Sequence, residues 1–323
     1  MHYEGLAKKL ADRTRIGLSD ELADKLKLKS EDAIGGALMA MTEDQRGVLG
    51  VYLLAVYVID DTDFWSDGEI YWWSIPTLET KGGGVMWNAT YGLPNGAPPH
   101  KCGDLEWMTN IALKDPPLLA VIPQTDPDVI VSTTRIAVYD DDGAIADFPK
   151  SMAAGYEALS QCKETGLTGT SAISGPVRDA IFKTLRGEQD DILVEEDIVL
   201  KRVDARFGVG FIGSVATTKA RVYYFVKDEL RTQTLGPVSL KKGDTTTLKP
   251  DSPVASGGSI AIFARGADKK TEVTVGTFGT LSTDKPFLGD VLDSKKAAEL
   301  NAGLKIDSNA EVSLVAYYTP PGG

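Results

Sequence analysis

The stretch Val48-Leu49-Gly50-Val51-Tyr52-Leu53-Leu54-Ala55-Val56-Tyr57-Val58-Ile59 decides the fold class. It reads as a β-strand that is apolar on both faces, whereas a strand with one solvated face alternates apolar and polar residues. Both faces must therefore be covered. Upstream, residues 1–45 place Leu6 and Leu10, Leu22 and Leu26, then Ile34, Leu38 and Met41 at helical spacing. Ser19 and Ser30 stand at N-cap positions before acidic first turns. These short N-terminal helices are the expected cover for the outer face. The apolar run is about half the roughly 20 residues of a membrane-spanning helix, so no transmembrane segment is expected.

Downstream, further strands are predicted over residues 69–75, 118–122, 129–138, 191–200 and 220–226, with a long irregular stretch over 81–114. Between 147 and 187 the period becomes helical. Met152, Tyr156 and Leu159 form one apolar stripe and Val177, Ile181 and Leu185 another, with Pro176 at the second helix's start and Gly187 past its end. The charged run Lys227-Asp228-Glu229-Leu230-Arg231 then marks an exposed boundary. Beyond it, strands are predicted over 238–240, 245–248, 259–264, 272–278 and 311–318, with one helical stretch over 294–300. The prediction is a mainly β protein in three parts. An N-terminal helical segment (1–45) precedes an antiparallel β-sandwich (46–232) that carries a two-helix insert (147–187). A smaller C-terminal β-sandwich (233–323) follows.

The chain has a net charge of −12, which argues against nucleic acid, since phosphate backbones reward clustered Lys and Arg. The imbalance is local. Residues 232–323 hold 10 basic and 10 acidic residues, leaving 24 basic against 36 acidic in residues 1–231. Two cysteines, Cys102 and Cys162, suggest reduced thiols rather than a disulfide framework. The N-terminus lacks a basic region followed by an apolar one, so a cytoplasmic protein of a prokaryote is the default expectation.

The excess acid is concentrated where apolar runs begin or end: Asp60-Asp61-Thr62-Asp63 through Asp67, then Asp140-Asp141-Asp142, then Asp190-Asp191. Gathered carboxylates raise one another's pKa unless a cation or water separates them. A hard cation with many oxygen ligands is the usual reason to gather them, and calcium fits that description.

Three segments of the middle region resemble a C2 domain, the calcium-dependent membrane- and partner-binding β-sandwich. Residues 50–59 followed by Asp61 and, six residues on, Asp67 look like that family's first strand pair with its two ligand aspartates. Val138-Tyr139-Asp140-Asp141-Asp142 and Asp190-Asp191-Ile192-Leu193 look like the start and close of its third loop. The resemblance implies calcium ligands at Asp61, Asp67, Asp140, Asp142 and Asp191. It departs from the family pattern at Gly68-Glu69, where Pro-Tyr is usual, at Val194, where glycine is usual, and in the helical insert that replaces a short loop.

Phe64-Trp65 lies between Asp61 and Asp67, at the loop tip where C2 domains place residues that enter a bilayer. The same pair would stack on a sugar in a calcium lectin, or pack against the insert. Catalysis is not expected. Only His2 and His100 are present, and neither Gly82-Gly83-Gly84 nor Gly208-Val209-Gly210 has the context of a phosphate loop. Two readings stand: a non-catalytic calcium-binding module for lipid, glycan or protein, and a structural subunit that self-assembles or joins a larger particle.

Overall fold

A computed structural model describes residues 48–61, 67–80, 85–87, 91–92, 100–123, 129–140, 176, 179–180, 191–203, 206–207, 210–229, 231–266 and 271–321. The predicted N-terminal helices, Asp142, Phe64, Trp65, Cys162 and nearly all of the predicted insert lie outside these residues.

The first part of the chain forms β1 (Val48–Val58), β2 (Gly68–Thr80), β3 (Val85–Trp87), β4 (Tyr91–Gly92), β5 (His100–Cys102) and β6 (Glu106–Trp107). It continues with β7 (Leu118–Pro123), β8 (Val129–Asp140), β9 (Asp191–Val203), β10 (Arg206–Phe207), β11 (Phe211–Ala216) and β12 (Ala220–Asp228). One antiparallel sheet runs β11-β12-β1, with β6 and β7 both pairing with β1. The facing sheet runs β10-β9-β8-β2, with β3, β4 and β5 all along β2. Between them lies a core that includes Leu49, Val51, Leu53, Val56 and Val58 of β1, Trp72 of β2, Val138 of β8 and Ile198 of β9. The short strands β3–β6 fall in the stretch read from sequence as irregular.

The second part forms β13 (Gln233–Leu240), β14 (Thr245–Leu248), β15 (Ser259–Gly266), β16 (Glu272–Val275), β17 (Gly279–Ser282), β18 (Phe287–Val291), α1 (Ser294–Ala302), β19 (Leu304–Ser308) and β20 (Val312–Thr319). Its two antiparallel sheets run β13-β20-β15-β18 and β14-β19-β16-β17. Asp293 caps α1 by accepting from Lys296 N at 2.7 Å, and Gly303 ends it at φ 117°, a conformation that suits glycine. The mainly β, sandwich character expected from the sequence is what the chain adopts.

The outer face of β1 is met by the second sandwich. A register shift between Leu53 and Ala55 turns Leu54 and Ala55 outward, then returns Val56 and Val58 to the first core. Leu54, Ala55 and Tyr57 join Trp107, Ile212, Tyr223 and Phe225 on one side of a second apolar layer. Ala261 and Phe263 of β15 and Val315 and Tyr317 of β20 form its other side. Strand alternation explains the division. Ile260, Ile262, Leu314 and Ala316 fill the second sandwich's own core, and the residues between them face the first sandwich. Among the described residues the four sheets therefore stack in layers, with β1 and its neighbour β12 covered on both faces. The sequence reading assigned this cover to the N-terminal helices; over Leu54–Tyr57 the C-terminal sandwich supplies it.

The junction between the sandwiches is not the exposed charged run the sequence suggested. Asp228 is buried, and its Oδ1 accepts from Arg231 N at 3.1 Å. Thr232 Oγ1 accepts from Asp228 N and lies 3.0 Å from Thr319 Oγ1. Arg231 donates to the carbonyls of Pro320 and Pro321. Of the insert, Pro176, Asp179 and Ala180 are helical, and Asp179 bonds Arg135 of β8, which also holds Asp197 of β9 at 3.0 Å.

Candidate metal centre

The acidic end of the first sandwich is assembled where β1 ends and β2 begins. Ile59 N and Asp60 N both donate to Lys219 O, at 2.7 and 3.0 Å, which fixes the chain as it leaves β1. Asp61 follows and is buried. Its amide donates to Asp104 Oδ1 at 2.9 Å, and its own Oδ2 accepts from Gly68 N at 3.2 Å. Asp140, at the end of β8, is also buried, and its Oδ1 accepts from Glu69 N at 2.5 Å. Two buried carboxylates thus take consecutive amides at the start of β2. Glycine at 68 suits this closeness, because a Cβ there would lie 2.7 Å from Asp140 Oδ2 and the carboxylate would have to shift.

Asp104 comes from the turn between β5 and β6. Glu106 Oε2 accepts from Gly103 N at 3.1 Å, and Leu105 holds a left-handed φ of 58°, uncommon for a residue with a side chain. A Cβ on Gly103 would lie 3.1 Å from Asp67 Oδ1, which places the exposed Asp67 carboxylate against this turn. Carboxylate oxygens of Asp60, Asp61 and Asp104 lie within 4.8 Å of one another; Asp61 is buried and the other two are open to solvent.

Of the aspartates implied by the resemblance, Asp61, Asp67 and Asp140 thus gather around the first residues of β2. Asp191 opens β9 and is paired across the ladder with Asp140. Asp142 lies outside the described residues. Sequence reading passed over Asp60, because the resemblance placed its ligand at Asp61. It also passed over Asp104, which sat in a stretch read as irregular; the Gly103-Asp104 pair was a turn signal that could have found it.

Cys102 reports the field at this end. Burial, then the charges of Glu106, Asp61 and Asp67, push its thiol up to about 12, so it stays protonated. The donors that converge within 4.8 Å are the carboxylate oxygens of Asp60, Asp61 and Asp104, and the Cys102 sulfur is not among them. Oxygen-only donors fit a hard cation such as calcium better than a soft one. His100, in β5, has its pKa lowered by burial and by the nearby Arg265, and its Nε2 accepts from Thr109 N at 3.1 Å.

Among the described residues no helix is long and apolar enough to cross a membrane. No protein-family model matches the chain, and no curated protein matches it. Three solved structures of one human enzyme are similar to it at low identity. Human GIVD cytosolic phospholipase A2 in complex with methyl gamma-linolenyl fluorophosphonate inhibitor and terbium chloride shares 9% identity at a TM-score of 0.23, over 85% of this chain and 33% of that one. The same enzyme with the fluorophosphonate alone shares 10% at 0.23, over 86% and 33%. A third structure of it shares 9% at 0.21, over 85% and 32%. The chain spans about a third of the length of these structures.

Proposed function

We propose that the chain is a non-catalytic calcium-binding protein whose C2-like first sandwich uses the cation to present a loop surface to a lipid, glycan or protein partner. The observation that carries this reading is the convergence of Asp60, Asp61 and Asp104 within 4.8 Å at one end of a sandwich. Asp67 and Asp140 add carboxylates around the same strand start. When bound, calcium would neutralise acids that otherwise repel one another and would accept the oxygens of a partner. Asp60, Asp61 and Asp104 would hold the ion, with Asp67, Asp140, Asp142 and Asp191 the further acids implied by the resemblance.

The test is a thermal melt in chelator and in millimolar calcium, on the wild type and on Asp104→Asn. The asparagine keeps an Oδ1 that can accept from Asp61 N but removes one charge. In chelator the variant should melt at or above the wild-type temperature, because like-charge repulsion falls. Calcium at 100 times its dissociation constant should stabilise the wild type by about 2.7 kcal/mol and the variant by much less. Equal calcium shifts in the two proteins would remove Asp104 from the site, and no shift in the wild type would end the calcium reading. Light scattering with calcium and with chelator then separates a monomeric binding module from a self-assembling subunit.

A further inference from the structure

The turn that carries Asp104 continues directly into the contact between the two sandwiches. Trp107 sits among rings from both. Its centroid is 4.8 Å from that of Tyr57, 5.7 Å from Tyr223 and 6.2 Å, edge-on, from Phe263 of β15. The next turn leaves carbonyls at Met108 and Ile111, whose side chains are buried in the first core. Both carbonyls are taken by one group of the second sandwich: Arg265 Nη1 donates to Met108 O at 3.0 Å and to Ile111 O at 2.6 Å. Arg265 follows Ala261 and Phe263 along β15, on the face turned to the first sandwich. Buried carbonyls need such partners, and a guanidinium is suited to gripping two at once. Met108 N is held in turn by Val56 O of β1 at 3.0 Å.

We propose that Arg265 is a positioning residue for the cation site, acting from the second sandwich. By fixing residues 103–111 it holds Asp104 against Asp60 and Asp61. The path is short and continuous: Arg265 to the carbonyls of Met108 and Ile111, then Trp107, then Glu106 bonded to Gly103 N, then Asp104 bonded to Asp61 N. The calcium part of this inference rests on the reading above. The ordering of the segment by Arg265 does not. Coupling of this kind is reciprocal, so calcium should also tighten the contact between the sandwiches.

The experiment uses the full chain as wild type, Arg265→Met, Arg265→Lys and a control, Phe225→Leu, whose stacking partner is Tyr317 rather than Trp107. Two quantities are read at a temperature where all four are folded. The first is hydrogen-exchange protection of residues 103–111 in chelator, and the second is calcium affinity by titration calorimetry. Arg265→Met should lose protection over 103–111 and bind calcium roughly 10–100-fold more weakly, the range for residues that orient metal ligands. Arg265→Lys, which keeps a donor for the carbonyls, should recover part of both, and Phe225→Leu should stay near wild type in both. Unchanged protection in Arg265→Met overturns the proposal, and so do equal losses in Phe225→Leu, since the effect would then be general loosening of the contact. If the wild type binds no calcium, the metal reading falls by itself. The proposal that Arg265 positions a ligand falls with it, while the exchange data in chelator still decide whether Arg265 orders the segment.

Discussion

At the scale of single residues, His100 of the first sandwich lies in the field of Arg265 from the second. Its imidazole must be unprotonated at Nε2 to accept from Thr109 N, and burial and Arg265 both resist the proton that Glu106 would favour. Its folded pKa lies below the usual 6.5, so below that pH the unfolded chain binds more protons than the native one. The stabilising contribution is present above about pH 6.5 and is lost as pH falls through the folded value. A urea midpoint measured at pH 7.5 and pH 5.5 should drop more in the wild type than in His100→Gln. Equal drops would mean that other groups carry the acid response. The acids at the candidate site were legible to different degrees for a physical reason. Asp61, Asp67 and Asp140 flank long apolar strands, which are visible as runs in the sequence. Asp104 flanks β5 and β6, too short to show a period. Gly68 looked like a departure from the family pattern, and the structure gives it a reason of its own: the Asp140 carboxylate occupies the space a Cβ would need.

At the scale of elements, a strand that is apolar on both faces is the recurring device. It was read in β1, where Leu53 and Val56 face one layer and Leu54 and Tyr57 the other. The same signature stands in Ile260-Ala261-Ile262-Phe263 of β15 and Leu314-Val315-Ala316-Tyr317 of β20. Pairing these three runs would have identified the cover of β1 without any helix. The strands not foreseen carry weaker patterns. In β19 the buried Leu304, Ile306 and Ser308 alternate with Lys305 and Asp307, and β18 has no fully buried residue. Phe263, at the centre of the shared layer, is the most informative position to remove. Phe263→Ala should cost roughly 3–5 kcal/mol, the usual range for a buried aromatic ring. Its chemical denaturation should stay a single transition, because the lost ring belongs to both sandwiches at once. Two resolved transitions in the wild type would show that the shared layer does not couple them.

At the scale of the whole molecule, the link between the sandwiches is short and tied down. Asp228, Arg231 and Thr232 are bonded to one another and to the end of β20, so a protease cannot readily draw the chain at Asp228 and at Arg231-Thr232 into an extended conformation. Limited digestion should leave residues 227–236 intact and release no C-terminal fragment; early cleavage there with a stable fragment would contradict the tethered junction. The stacking of sheets also bears on how such a chain can change over evolutionary time. A domain that meets its neighbour through a flexible tether can be duplicated, shuffled or lost as a unit. Here the wall between the halves is greasy on both sides, holding Leu54 and Phe225 on one and Phe263 and Tyr317 on the other. Either half inherited alone would expose that wall to water and invite aggregation. The heritable module is therefore the pair, and recombination breakpoints compatible with a soluble product should fall outside residues 48–319 rather than between the sandwiches.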